Sequence, residues 1–199
     1  MNTISAEREQ EYGIPYGDDS IYADMKYINS NEFANKFKSI TQNKAVNETL
    51  LKCARNAITH RNGTLYEDMY IINGNTGEIM ASQLNTPFEQ SINHNEEIKT
   101  ALIEAKADNI PVIALHTHPE GFPPSVDDFN SAFKFDYSLG IVVGHNGQVY
   151  SYHRGEEYID DPDVVQLDIA MAYKRGVDVD RAHKEVYDEY GLEYEIVKE

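Results

Sequence analysis

Apolar residues recur at helical spacing in two long stretches of the chain. Residues 44–61 carry apolar side chains at three- and four-residue steps, which predicts an amphipathic helix that packs on one face. Residues 93–108 repeat this spacing, and Asn93 followed by Glu96 resembles a capping box at the start of a second helix. Both helices are long enough to cover a sheet.

The stretches between and after these helices have the pattern of β-strands. Residues 68–73 and 78–82 flank a turn rich in glycine and asparagine, which predicts a hairpin. The wholly apolar run 112–115 predicts a buried strand, 125–135 a short helix, and 139–152 a second hairpin turned at an Asn-Gly pair. The predicted fold class is therefore α/β, with helices packed on a mixed sheet.

The pattern divides the chain into three parts. Residues 1–43 are predicted to form an irregular, tyrosine-rich arm with one short helix, 44–155 the sheet-containing domain, and 156–199 an acidic extension. The short helix of the arm and the two helices of the extension are expected at residues 31–40, 163–174 and 179–190.

Charge and composition narrow the classes of partner. The chain has 34 acidic residues against 17 basic ones, a net charge of −17, which argues against a nucleic-acid partner. Its single cysteine, Cys53, lies within an apolar helical pattern, so a buried inert thiol is expected and a disulfide framework is excluded. With no apolar run of membrane-spanning length and no signal-like start, we expect a cytoplasmic protein without membrane attachment.

Candidate chemistry begins where the buried strand ends. His116 and His118 are two residues apart, so a strand would direct both imidazoles to the same face. Ser125 begins the next helix, and Asp128 lies one turn further, where it can approach the histidines. Two histidines and a carboxylate are a zinc ligand set that leaves a fourth position for water, as in hydrolytic sites.

Each of these features also has a purely structural interpretation. A Ser-x-x-Asp sequence before a helix is most often an N-cap with a first-turn acid, and an isolated His-x-His is usually a pair of surface histidines. The functional interpretation depends on their occurring together, directly after a buried apolar strand.

The motif His-Thr-His-Pro at 116–119, followed by Ser-Val-Asp-Asp at 125–128, resembles that of the JAMM (JAB/MPN) zinc metalloproteases. The resemblance covers roughly residues 44–153 and is closest to the bacterial JAB and RadC-like branch. It implies a JAB/MPN-like fold, related to that of cytidine deaminases, with a mixed sheet between helices.

The resemblance implies a role for each residue of the motif. His116, His118 and Asp128 would bind zinc together with a water, and Ser125 would stabilise the oxyanion. The family also uses a glutamate near the start of its first strand as general base and then acid, which implies Glu67.

Two assignments stay open. A solvated acid at a strand edge is the structural alternative for Glu67, and Asp68 and Glu78 are the alternative bases. The spacer between His118 and Ser125 is one residue shorter than is usual in the family, so Asp127 competes with Asp128 as the third ligand.

The resemblance implies a zinc-dependent peptidase or isopeptidase. Its substrate would be a peptide or a ubiquitin-like protein with an extended tail of small residues, paired beside a strand of the enzyme. A catalytically silent scaffold of the same fold and a RadC-like domain associated with DNA are the alternatives. The sequence does not indicate an oligomeric state.

Overall fold

The computed structural model describes residues 21–177 and 179–199; residues 1–20 of the predicted arm lie outside this part of the chain. The described portion of the arm, residues 21–43, contains two short helices, α1 (Met25–Ile28) and α2 (Asn31–Asn35). Asp24 caps the first helix and Ser30 caps the second, each by accepting hydrogen bonds from backbone N–H groups. Side chains of both helices are buried against the domain that follows.

Within the described residues, six strands form one mixed sheet in the order β2-β1-β3-β4-β5-β6. Only β3 and β4 are parallel, and the other neighbouring pairs are antiparallel. This mixed sheet with its helices confirms the predicted α/β class. The strands are β1 (Met69–Asn73), β2 (Ile79–Gln83), β3 (Val112–His118), β4 (Leu139–Gly144), β5 (Val149–Tyr152) and β6 (Tyr194–Ile196).

The longer helices cover both faces of the sheet. They are α3 (Lys44–Arg61), α4 (Glu96–Ala107), α5 (Val126–Phe135), α6 (Pro162–Lys174) and α7 (Val179–Glu189). Together with α1 and α2, α3 packs on one face, and α4 to α7 contribute to the cluster on the other. Along β3, Ile113 and Leu115 join the first cluster, whereas Val112 and Ala114 join the second, as expected for the two-residue period of a strand.

The start of α4 differs from the prediction. The helix is capped by Asn95, whose side chain accepts a hydrogen bond of 2.8 Å from the N–H of Ile98. The capping box predicted at Asn93 and Glu96 is therefore wrong. Asn95 also donates to the carbonyl of Ser82 at the end of β2, and this tertiary bond helps to fix the start of the helix.

The C-terminal segment shares the core of the sheet. The two helices predicted there form as α6 and α7, but the prediction missed β6, which pairs with β5 and extends the sheet. Val165, Tyr187 and Leu192 are buried in the same cluster as residues of β1, β3 and β5. Among the described residues, no helix combines the length and the apolar character needed to cross a bilayer.

Candidate metal centre

Strand β3 presents His116 and His118 on the face covered by α4 to α7. Every residue of this strand is buried, and the side chains of the two histidines are only 5% and 11% exposed. Thr117 points to the opposite face, where its hydroxyl accepts a hydrogen bond from the N–H of Asp68. The two-residue period of a central strand therefore sets the direction of both imidazoles.

Helix α5 presents Asp128 to these histidines. Ser125 is the N-cap, and its hydroxyl accepts from the N–H of Asp128. The Asp128 carboxylate completes the capping box by accepting from the N–H of Ser125 at 2.7 Å. This reciprocal arrangement fixes the rotamer of Asp128 and confirms that the motif caps the helix, while the same carboxylate faces the two histidines.

The three side chains converge at distances suited to a metal ion. The Nε2 atoms of His116 and His118 are 3.0 Å apart, and they lie 3.0 and 3.3 Å from the two carboxylate oxygens of Asp128. Ligand atoms at zinc–ligand distances of about 2.1 Å in a tetrahedron are separated by about 3.4 Å. The donor set, with one ligand atom from each residue, therefore fits a small divalent cation.

The second ring nitrogen of each histidine is inside the protein. His118 Nδ1 lies 3.2 Å from the carbonyl oxygen of Phe122, a partner to which an N–H at this position donates. That hydrogen bond would leave Nε2 available to bind a metal, and such a bond from the second ring nitrogen is the usual support of a metal-binding histidine. His116 Nδ1 is buried, with no hydrogen-bond partner in the described part of the chain.

Without a metal, His118 and Asp128 have the charges of a buried ion pair, a protonated imidazole and an ionised carboxylate. Burial lowers the pKa of His118, but the hydrogen bond and charge of Asp128 outweigh it and raise the pKa to about 9. Burial raises the pKa of Asp128, yet the two histidines hold it well below its usual range. Without metal a proton therefore occupies the position that a cation would take, and the two compete.

Glu67 lines the same cleft as the three side chains, immediately before β1. It is 6% exposed, and its charge contributes to the raised pKa of His118, which indicates proximity. Asp68 is buried on the opposite side and paired with Arg61, and Glu78 is exposed in the turn at the far end of β1. Of the candidate bases, only Glu67 lies where it could reach a substrate in this cleft.

Asp127 also lines the cleft but takes no part in the cluster. Its side chain is exposed at the rim, and its pKa is raised by partial burial and by the charges of Asp128 and Asp163. The structure thus brings Asp128, and not Asp127, to the histidines. The short spacer is accommodated by a tight turn, in which Gly121 adopts φ +79° and its N–H donates to the carbonyl of His118.

Ser125 lies at the edge of the cleft with its hydroxyl turned toward Asp128. The hydroxyl donates to Asp128 Oδ2 at 2.9 Å, so it holds the carboxylate in place. An oxyanion contact would require this hydroxyl to turn toward the substrate, while the N–H of Ser125 keeps its own bond to the same oxygen.

The cleft has a cavity volume of about 390 Å³ and contains residues that sequence analysis did not select. Gln90, in the loop after β2, donates to the buried carboxylate of Glu120, and both residues line the cleft. From the C-terminal segment, His183 and Tyr187 also line it, and the Tyr187 hydroxyl donates to the carbonyl of Pro124. No local pattern marks these residues, because only the packing of distant segments brings them to the site.

Comparison with known proteins gives no relative from which a role could be transferred. No family model matches the chain, and no curated protein sequence matches it. The arguments for function therefore rest on the geometry of the cleft.

Proposed function

We propose that the chain is a zinc-dependent peptidase or isopeptidase of the JAMM type, built on a JAB/MPN-like fold. The observation that supports this most directly is the convergence of His116, His118 and Asp128 on one point, at separations of 3.0 to 3.3 Å, in a cleft that also holds Glu67. A buried carboxylate beside such a ligand set is the arrangement that metal-assisted hydrolysis requires.

Each residue has a defined task in this proposal. Zinc held by His116, His118 and Asp128 would polarise the scissile carbonyl and lower the pKa of a coordinated water toward about 7. Glu67 accepts a proton from the attacking water and delivers it to the leaving nitrogen, so that one water and one amide give a carboxylic acid and an amine. Ser125 turns its hydroxyl to donate a hydrogen bond to the developing oxyanion, a contact worth about 3 kcal/mol in comparable sites.

The substrate that we propose is a peptide or a ubiquitin-like protein with an extended tail of small residues. Gln90 and Glu120 both line the cleft, and their side chains are joined by a hydrogen bond. In this proposal the joined side chains limit the width of the cleft, so that small residues pass more readily than large ones. The acidic charge and the single cysteine support a protein substrate, without nucleic acid, in a reducing compartment such as the cytoplasm.

A specific observation favours a second candidate, a catalytically silent scaffold of the same fold. Asp128 and His118 already form a pair with opposite pKa shifts, and Ser125 completes a capping box, so the polar side chains of the cluster satisfy one another without a metal. In that case the cleft would serve to bind a partner without cleaving it.

Metal content separates the two candidates. The zinc content of the purified wild type should be close to one ion per chain, and His118→Ala and Asp128→Ala should lose it, whereas His153→Ala, which removes an exposed histidine of another loop, should not. Hydrolysis of a Gly-Gly-ε-lysine isopeptide should then disappear in Glu67→Gln with the zinc retained. A wild type that binds no zinc even after reconstitution would favour the scaffold.

A further inference from the structure

The two chain neighbours of Glu67 are both held by one arginine. Arg61, the last residue of α3, donates from Nε to Asp68 Oδ1 at 2.5 Å, and its guanidinium lies 5.7 Å from the centre of the Tyr66 ring. Its Nη2 donates to the carbonyl of Leu84, just after β2. Arg61 thus contacts the segment 66–68 on both sides of Glu67, which lines the cleft.

The same segment is tied to the strand that carries the histidines. The N–H of Asp68 donates to the hydroxyl of Thr117, and the N–H of Thr117 donates to the carbonyl of Asp68, each at 3.1 Å. Thr117 stands between His116 and His118, so these bonds fix the backbone beside Glu67 relative to the histidine backbone. The Arg61 side chain adds to this support through its bond to Asp68, on the face of the sheet opposite the histidines.

We propose that Arg61 is a positioning residue for the general base, holding Glu67 in register with the metal ligands. The inference rests on the proposed function. The Arg61 side chain is 12% exposed and that of Asp68 is 0% exposed, so the ion pair is shielded from water and keeps a defined geometry. The contacts of Tyr66 and Asp68 therefore fix the backbone on both sides of Glu67.

Lysine cannot replace this arginine fully. The planar guanidinium donates in two directions at once and stacks on an aromatic ring, whereas an ammonium group is a single point of charge. Arg61→Lys is therefore expected to keep the attraction to Asp68 but to lose the simultaneous contacts with Leu84 and Tyr66. Glu67 would then sample positions away from the cleft.

Arg55 provides a matched control in the same helix. Its guanidinium also donates to two sites, the carbonyls of Ile28 and Ser30, both at 2.9 Å. These partners belong to α1 and to the link before α2 on the far face of the sheet, away from Glu67. Arg55→Lys should thus reproduce the loss of an arginine clamp without disturbing the base.

The test compares Arg61→Lys, Arg55→Lys and Glu67→Gln after loading with zinc or Co²⁺. In Arg61→Lys, zinc stoichiometry should stay at wild-type level, kcat on a Gly-Gly-ε-lysine isopeptide should fall by about 10- to 100-fold, and KM should change little. The visible spectrum of the Co²⁺ form should shift in the direction seen in Glu67→Gln. Arg55→Lys should leave kcat and the spectrum unchanged.

Other outcomes separate the two proposals. If Arg61→Lys does not fold, the double variant Arg61→Gln with Asp68→Asn, which leaves no lone buried charge, takes its place. Wild-type kcat and spectrum in the Arg61 variant, with both altered in Glu67→Gln, overturn the role of Arg61 alone. An active Glu67→Gln overturns the base assignment itself. If the wild type cleaves no isopeptide, the Co²⁺ spectra of the three variants alone test the role of Arg61. Absence of any metal binding by the wild type overturns both proposals.

Discussion

A single carboxylate at the start of α5 serves both the helix and the cluster of histidines. One oxygen of Asp128 accepts from the N–H and the hydroxyl of Ser125 and lies 3.3 Å from His118, while the other lies 3.0 Å from His116. Bonds of this kind orient a metal-binding carboxylate in advance. The capping motif is therefore compatible with a metal site, because it would hold the proposed third ligand in position.

Substitution of the two adjacent aspartates should separate their roles. Asp128→Asn replaces a charged ligand with a neutral one and should lower zinc content from about one ion per chain to near zero. Asp127→Asn, at the exposed rim, should retain the zinc. Elemental analysis of both variants beside the wild type is the measurement, and zinc loss in Asp127→Asn alone would reassign the ligand.

The buried pair of His118 and Asp128 should make the stability of the metal-free protein depend on pH. The pKa of His118 rises from 6.5 to about 9 on folding, so this stabilisation is complete below pH 6.5 and lost as the pH rises through 9. The pKa of Asp128 is depressed below 3.8, so its contribution is lost only as the pH falls into the acid range. The contribution of His118 is at most about 3 kcal/mol.

Thermal unfolding in the presence of a chelator measures this effect. The difference in midpoint between the wild type and His118→Gln should shrink between pH 6.5 and pH 9, because the imidazolium is lost over that range. The His118→Gln reference removes the background from the net charge of −17. A difference that stays constant over this range would show that the pair is not charged in the folded protein.

Among the helices and strands, the sequence predicted those that have a hydrophobic pattern within their own residues. The apolar run of β3 and its two histidines could be read directly, because a central strand is buried along its length. β6 could not, since three residues at the sheet edge, partly or fully exposed, carry no period. Likewise, the sequence predicted the cap of α4 at Asn93, whereas the structure has it at Asn95. The side chain of Asn95 also bonds to β2, and a contact between distant segments leaves no local pattern.

The loop after β3 shows how an element sets the geometry of the site. Gly121 adopts φ +79°, and a Cβ there would overlap the side-chain amide of Asn146 in the turn after β4. Its carbonyl accepts from the Tyr150 hydroxyl at 3.1 Å. A side chain at position 121 would therefore have to displace that of Asn146.

Gly121→Ala should destabilise the protein and weaken zinc binding. Gly176→Ala is the matched control, because Gly176 has φ +89° but an added Cβ would meet nothing within 4 Å. The control should cost about 1 to 2 kcal/mol from backbone strain alone, and Gly121→Ala more, because the overlap adds to the strain. Denaturant unfolding and zinc titration of both variants test this, and equal losses would mean that the close approach to Asn146 is unimportant.

At the scale of the whole molecule, the acidic C-terminal segment is part of the fold. It carries 14 acidic and 5 basic residues, yet its apolar side chains reach the core. Asn130 of α5 donates to the carbonyl of Ile159 and accepts from its N–H, so the start of the segment is joined to the helix that carries Asp128. The many acidic residues of this segment give it a polar composition, while its fewer apolar side chains are buried in the core. Composition alone therefore predicted an extension outside the domain.

Deleting residues 156–199 should therefore unfold the protein. The cut would remove Leu192 and Tyr187 from the core, take the Tyr187 hydroxyl from Pro124, and leave β5 as a bare edge without its partner β6. We expect the truncated chain to aggregate or to lose its cooperative thermal transition. A truncated chain that unfolds near the wild-type midpoint and still binds one zinc would show that the segment is dispensable.

Point variants in the same segment test this without removing it. Leu192→Ala removes a side chain that is 1% exposed in the core and should cost about 2 to 5 kcal/mol of unfolding free energy, measured by denaturant titration. Leu167→Ala is the matched control, since Leu167 of α6 is 55% exposed, and it should change stability by less than about 0.5 kcal/mol. Equal effects would mean that the C-terminal segment does not pack as described. A large loss at Leu192 alone would show that the segment lining the cleft also stabilises the core of the sheet, as expected if the two fold together.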